Sequence, residues 1–379
     1  MKAQVISQYD DFVKLKNIWN EMLMKSNHPL VFLTHQWTDV WWKAFGEGNE
    51  LLILLVYDGN ELAAIAPFML SKGKHTLIGR LNIAVTAKKI EFIANVHSNR
   101  CDIIYKDNPE EVCEAIVKFL LSEYKNSWDI LSLEYLLKDS PTMKYLTSSF
   151  DKNSVCSRQY PQISSPYLHI NFEWKDYFKN RQRRFKEQLK SRFKKLEELG
   201  KVRLERYQNS DDLKMVLEQV FDVASKTWKA KDGTALSSTA QLKGFYTELA
   251  HTAAKEGWLD LSILYINDMP LVFEYCLKFK DKLLLLKTEF DEGYRSFGIG
   301  NIIQWKLLES IYEDSIKEFD FLGPSSRWKN YWADGNERDH VTLYAFNKNH
   351  KGKFLNYTYT VKDVMKKMIG KNDFQGEQV

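Results

Sequence analysis

Lys282-Leu-Leu-Leu-Leu-Lys-Thr-Glu-Phe290-Asp-Glu-Gly-Tyr-Arg295-Ser-Phe-Gly298-Ile-Gly300-Asn301 reads as a buried strand, a tight glycine turn and the opening of an amphipathic helix that runs to about Tyr312. The first turn of a helix leaves backbone N–H groups unpaired and carries partial positive charge, so this stretch predicts an anion cradle. Glycines let the backbone approach a ligand where a Cβ would stand in the way, and Arg295 can add a charge-assisted contact.

Working outward, residues 258–266 and 271–279 flank the turn Asn267-Asp-Met-Pro270 and predict a hairpin that feeds the strand. Downstream, Phe319-Asp-Phe-Leu-Gly-Pro324 is a short strand with a hard stop. The first half shows the same order. Residues 51–57 and 62–70 form a hairpin around Asp58-Gly59, with Pro67 expected at a bulge or strand end. Strands at 89–93 and 102–105, a helix over 109–124 and a strand at 128–134 follow. This parallel predicts an internal duplication whose first copy lacks the R-x-x-G-x-G turn. Residues 1–48 read as helices, and Trp37, Trp41 and Phe45 lie on one helical face as core. Between the halves, a strand at 167–172 leads into a basic helix over 173–200. There Phe178, Phe185, Leu189, Phe193, Leu196 and Leu199 form an apolar seam, and Gly200 stops the helix. After Phe346, polar residues alternate with aromatics around Tyr357 and Tyr359, and the tail from Ile369 is expected to be unstructured.

The 379 residues suggest two domains, with boundaries expected at 1–165 and 166–379. A hydrophobic content of 44% excludes a disordered chain. The opening residues turn acidic where a signal peptide needs an apolar run, and the apolar runs are strand-length, so the protein is expected in the cytoplasm. Cys101, Cys113, Cys156 and Cys276 are scattered without a C-x-x-C pair, which predicts neither a disulfide framework nor a metal site. Between Lys175 and Arg206 stand 13 Lys/Arg against 5 Asp/Glu, so the net charge of +4 comes from this segment and the remainder is net acidic. The basic face is compatible with a solvated surface, with nucleic-acid binding, or with steering of an anionic acceptor.

The hairpin, the strand 282–290, the Arg295-to-Gly300 turn and the following helix resemble the acyl-CoA-binding core of the GNAT superfamily of N-acyltransferases. The whole chain resembles a branch with two tandem GNAT-like domains, the cellulose-biosynthesis-associated acetyltransferase-like proteins, related to Fem-type aminoacyltransferases. The residues that carry this are Phe32-Leu-Thr-His-Gln-Trp37 with Trp41-Trp42, the basic helix ending at Gly200, and Phe319-Asp-Phe-Leu-Gly323 followed by Trp328-Lys329. The resemblance implies an α/β fold with a mixed sheet, each domain a mostly antiparallel sheet flanked by helices. It implies acyl transfer from a CoA thioester, acetyl-CoA or another acyl-CoA, to an amine on a sugar or amino-acid-like acceptor in exopolysaccharide or envelope synthesis.

The chemistry then needs a pyrophosphate cradle, expected at Arg295, Gly298, Ile299, Gly300 and Asn301. It needs a splayed strand for the pantetheine amides, expected at Lys287, Thr288, Glu289 and Phe290, and a strand N–H for the oxyanion. Glu274, Glu289 and Asp320 are candidate bases, each also readable as an outward or edge position. Tyr331 falls where GNAT enzymes place a tyrosine that protonates the leaving thiolate. Phe297 departs from the branch, where a small residue or proline often stands, which leaves the acyl donor open. Two other readings compete: a Fem-like transferase using aminoacyl-tRNA, for which the helical arm is short, and a non-catalytic binding module.

Overall fold

The computed structural model describes residues 1–78, 83–171, 173–312 and 314–369. The chain divides into two compact units, Met1–Ile163 with Asp339–Val379, and Ser164–Arg338.

In chain order the first unit holds β1 (Lys2–Ile6), α1 (Tyr9–Lys14), α2 (Lys16–Lys25), α3 (His35–Phe45), β2 (Glu50–Asp58), β3 (Glu61–Ile78), β4 (Ile83–Phe92), β5 (Ile104–Tyr105), α4 (Pro109–Leu121), β6 (Ile130–Leu137), α5 (Pro141–Lys152) and the start of β7 (Ser157–His169). The second unit continues β7 and adds α6 (Trp174–Lys179), α7 (Arg183–Glu197), β8 (Val202–Tyr207), α8 (Leu213–Ser225), α9 (Trp228–Lys231), α10 (Ala240–Lys255), β9 (Leu259–Ile266), β10 (Met269–Phe279), β11 (Lys282–Phe290), α11 (Ile299–Ile311), β12 (Glu318–Asp320) and α12 (Arg327–Asn330). The chain then returns to the first unit with β13 (Glu337–Phe346) and α13 (His350–Ile369).

Both units build one topology. Strands run β1-β2-β3-β4-β6-β13 in the first, with β5 beside β3, and β8-β9-β10-β11-β12-β7 in the second. All pairings described within these paths are antiparallel except β4 with β6 and β11 with β12, which are parallel. Each parallel pair is joined through a helix, α4 or α11, because a parallel connection needs a crossover. Each unit is therefore a mostly antiparallel sheet flanked by helices, and the two are a duplicated pair, as the sequence parallel suggests.

Several expectations are corrected. Residues 1–48 do not open on a helix: Lys2–Ile6 pairs with β2 from Lys2↔Tyr57 to Ile6↔Ile53. Its short alternation puts Ala3 and Val5 against the core, a period-two signal masked by the helical pattern after it. Pro67 lies inside β3, opposite Ile53. Ile93 N donates to Pro67 O at 2.8 Å, so the proline nitrogen points to the β4 side beyond the last β3–β4 pair, where no ladder donor is required. Residues 339–369 belong with the first unit rather than with the expected 166–379 domain, because β13 pairs with β6 from His340↔Leu137 to Phe346↔Ile130. The basic segment is two helices separated at 180–182, and Leu199 is exposed instead of completing the seam. Residues 201–257, unassigned from sequence, hold β8, α8, α9 and α10. The expected unstructured tail lies outside the described residues. Trp37 and Trp41 are buried as core.

In the second unit, α11 covers one sheet face. Ile302, Ile303, Leu307, Leu308 and Ile311 are fully buried there with Val272, Cys276, Leu283 and Leu285, each large side chain contributing about 1.5–3 kcal/mol.

Because β13 is a core strand of the first unit, a fragment of residues 1–165 loses one of the two partners of β6 and exposes Leu131 and Leu133 along that edge. It is expected to lack a cooperative thermal transition by circular dichroism while the full chain shows one; a cooperative melt of the fragment would refute the assignment.

Candidate active site

The glycine turn forms as the sequence predicts. Asp291 Oδ1 accepts from Gly293 N at 2.8 Å and starts a 3-10 segment, Glu292–Phe297. Gly298 ends it at φ +63° and ψ +41°, a left-handed conformation that favours glycine, and caps α11. Asn301 N and Ile302 N both donate to Gly298 O, at 3.0 and 3.3 Å. The N–H groups of Ile299 and Gly300 find no acceptor among the described residues. No acidic side chain stands in the first turn of α11. Unpaired N–H groups at a helix N-terminus have the geometry that can receive an anion.

Its cations are Arg295 and, unforeseen, Arg192 of the basic helix. Arg295 makes only an exposed pair with Glu292 at 3.2 Å, worth little in water and readily exchanged. Arg192 lies over the turn: a Cβ on Gly298 would stand 2.7 Å from its Nη1. In sequence Arg192 was one cation among many on the polar face of α7, and no spacing singles it out. The Phe297 ring packs against the core near Tyr294. The side chain of Asn301 is engaged, its Oδ1 accepting from Trp332 Nε1 at 3.3 Å. That bond brings the neighbouring Tyr331 towards the start of α11. Tyr331 stacks on Phe185 with centroids 4.6 Å apart, and its hydroxyl accepts from Arg327 Nε at 2.7 Å.

The strand β11 supplies the second part. It pairs with β12 only at Lys282↔Glu318, Leu283↔Phe319 and Leu284↔Asp320. On its other edge it follows β10 to Val272↔Phe290, and Asp291 N donates to Leu271 O at 2.8 Å. Backbone groups alternate along a strand, so Lys287 and Glu289 also turn theirs to β10. Thr288 and Phe290 therefore turn theirs to the edge that β12 has left, and the N–H of neither finds a partner among the described residues. A Cβ on Gly300 would lie 4.0 Å from Phe290, so the cradle and this open edge adjoin.

The three candidate carboxylates do not converge. Asp320 sits at the closed end of the fork, opposite Leu284, about 16 Å along the strand from Glu289 at ~3.3 Å per residue. It accepts from Leu322 N at 2.9 Å and lies 3.7 Å from Arg338, a stabilising role within the turn. Glu274 is opposite Thr288 and Ser262, on the face covered by α11. Its carboxyl is fully buried without a hydrogen-bond partner among the described residues, as are the Ser262, Thr288 and Gln304 side-chain polar atoms. Burial, then the Asp260 charge, pushes its pKa well above the ordinary carboxyl range, which favours the neutral acid.

Glu289 is on the opposite face, where α8 packs. It is 1% exposed and accepts from Leu236 N at 3.2 and 3.3 Å. Lys229 Nζ stands 3.9 Å away and donates to Thr288 O at 3.1 Å. Burial raises the Glu289 pKa, while Lys229, Lys287 and the Leu236 N–H hold it back. A carboxylate of raised proton affinity beside the open edge can accept a proton from an amine. Lys287, expected among the cofactor residues, points its side chain to this same face. The cysteines are free, and no group of three or more potential metal ligands occurs among the described residues.

Residues 183–330 match the family described as Acetyltransferase (GNAT) domain. FemX has a similar structure, with TM-score 0.57 at 11% identity over 92% of this chain and 98% of that one. A conserved protein of unknown function from Bacteroides thetaiotaomicron VPI-5482 gives 0.56 at 8% over 90% and 99%. A tandem GNAT protein from the clavulanic acid biosynthesis pathway gives 0.51 at 8% over 91% and 98%. At these identities the likeness is one of fold. No curated protein sequence matches. Residues 183–330 thus match the GNAT acetyltransferase domain family, and the chain as a whole is similar in fold to FemX and to a tandem GNAT protein.

Because burial raises the Glu274 pKa in the fold above its unfolded value, its contribution is lost as pH rises above the unfolded carboxyl value towards the raised native one. Glu274→Gln removes this term. The melting temperature of the variant relative to the parent is expected to climb from pH 5 to pH 8; a constant difference refutes the neutral acid.

Proposed function

We propose that the protein is an N-acyltransferase that moves an acyl group, acetyl or a close homologue, from CoA to an amine. The observation that carries this reading is the adjacency of the α11 cradle and the unpaired edge of β11 within the GNAT domain. The pyrophosphate is held by the Ile299 and Gly300 N–H groups with Arg295 and Arg192, and Gly298 and Asn301 shape the turn. Thr288 and Phe290 offer backbone pairing to the pantetheine amides and an N–H for the oxyanion. Lys287 serves the acceptor side instead.

In the reaction Glu289 takes a proton from the acceptor ammonium, and the freed amine attacks the thioester carbonyl. A C–N bond forms and the C–S bond breaks. The tetrahedral intermediate loses the second nitrogen proton to solvent water as it collapses, Tyr331 gives its proton to the departing thiolate and regains one from solvent, and Glu289 returns the first proton to solvent. Glu274 and Asp320 take no part in these transfers. The acceptor is an amine of a sugar or amino-acid-like precursor, with exopolysaccharide or envelope synthesis in the cytoplasm as the setting. No helix among the described residues is long and apolar enough to cross a membrane.

A second reading, aminoacyl transfer from tRNA, is favoured by the exposed basic face of α7 and the fold likeness to FemX. Copurifying RNA whose binding falls steeply with salt would favour it.

Gly300→Ala separates ligand approach from stability. A Cβ there meets nothing closer than 4.0 Å, and alanine favours a helix by up to about 1 kcal/mol over glycine. The variant is expected to keep or raise its melting temperature yet lose about tenfold in CoA affinity by calorimetry, a difference of about 1.4 kcal/mol. No CoA binding by the parent at millimolar ligand would sink the donor assignment.

A further inference from the structure

We propose that Lys229 and Lys287 form a subsite for the carboxylate of the acceptor, so that the acceptor is an amino-acid-type zwitterion. The ammonium meets Glu289 and the carboxylate meets the two lysines. This reading rests on Glu289 as the proton acceptor.

The argument begins with charge. Two ammonium groups share the α8 face of β11 with one carboxylate, which leaves one positive charge in a largely enclosed place. Lys229 is 28% exposed and its nearest acid, Glu289, is at 3.9 Å, outside hydrogen-bond reach. Lys287 makes no hydrogen bond or ion pair with any described residue. Its Nζ lies 5.9 Å from the centroid of the Tyr246 ring. An enclosed ammonium without an acceptor is costly, and an arriving anion removes that cost. The groups facing it are Lys229 from α9, Glu289 from its own strand, Tyr246 from α10 and Tyr275 from β10, whose hydroxyl already donates to Tyr246 O at 3.1 Å. Burial first, then the Lys229 charge, lowers the Lys287 pKa to about 8, against the attraction of Glu289.

Position and stoichiometry select the ligand. The pyrophosphate cradle belongs to α11, on the other face of the sheet, so these lysines are not its continuation. An excess of one positive charge suits a monoanion, whereas a phosphate dianion would bring two negative charges beside Glu289. A carboxylate near an amine satisfies both ends at once.

The test uses the full-length protein and competitive labelling of lysines with acetic anhydride, read peptide by peptide by mass spectrometry from neutral to alkaline pH. The probes are N-acetylglycine, its neutral amide and inorganic phosphate. N-acetylglycine is expected to raise the Lys287 titration midpoint from about 8 by about one pH unit, a tenfold loss of labelling at fixed pH. The amide should have no effect, and Glu289→Gln should strengthen protection by the acid. Equal labelling with acid and amide overturns the proposal, and so does stronger protection by phosphate than by the carboxylate. Calorimetry with CoA on the same sample keeps the two readings apart. Carboxylate protection without CoA binding defeats the donor assignment alone, and CoA binding without protection defeats the subsite alone.

Discussion

The early end of β12 is the constraint on which the second unit depends. Three residues pair with β11, and then Leu322 and Gly323 turn the chain away in left-handed conformations, φ +47° and +55°. The Asp320 carboxylate holds that turn through Leu322 N, and Lys329 Nζ donates to Leu322 O and, at 2.9 Å, to Pro324 O. An unpaired strand edge exposes backbone donors and acceptors that ordinarily invite another strand. Here the edge opens beside the first turn of α11, so an extended amide-bearing ligand with an anionic end finds both needs met together. Under the proposed acyl transfer, the donor site follows from where a strand stops.

Much of this was legible in the sequence because it depends on local order. The apolar run 283–286, the turn and the helix follow each other without long-range help, and β11 has the predicted bounds. What failed depends on tertiary placement. The three carboxylates look alike as acidic residues in apolar strands, yet strand alternation and pairing give one an arginine, one no partner, and one two lysines. Arg192 and Lys229 were invisible for the same reason. Each reaches the site from an element whose position is set by packing, and α9 is only four residues long. The return of β13 to the first unit could not be read either, since a strand's partner is not written in its own alternation.

The duplicated topology gives an internal control on the anion cradle. α4 in the first unit occupies the place that α11 occupies in the second, between the parallel strands of its sheet. Its helix opens on Asn108-Pro109-Glu110-Glu111. Proline at the first turn removes one N–H donor, and two carboxylates beside the helix N-terminus occupy its positive end and repel an incoming anion. The first turn of α11, Ile299-Gly300-Asn301, has neither feature and is preceded by Gly298 with a guanidinium above it. The same scaffold thus appears once with its helix terminus neutralised from within and once left open. A helix terminus that carries Glu110 and Glu111 in its first turn gains local stability from their charge beside the positive helix end. One left open at Ile299 and Gly300 forgoes that gain, which is the pattern expected where a ligand completes the structure.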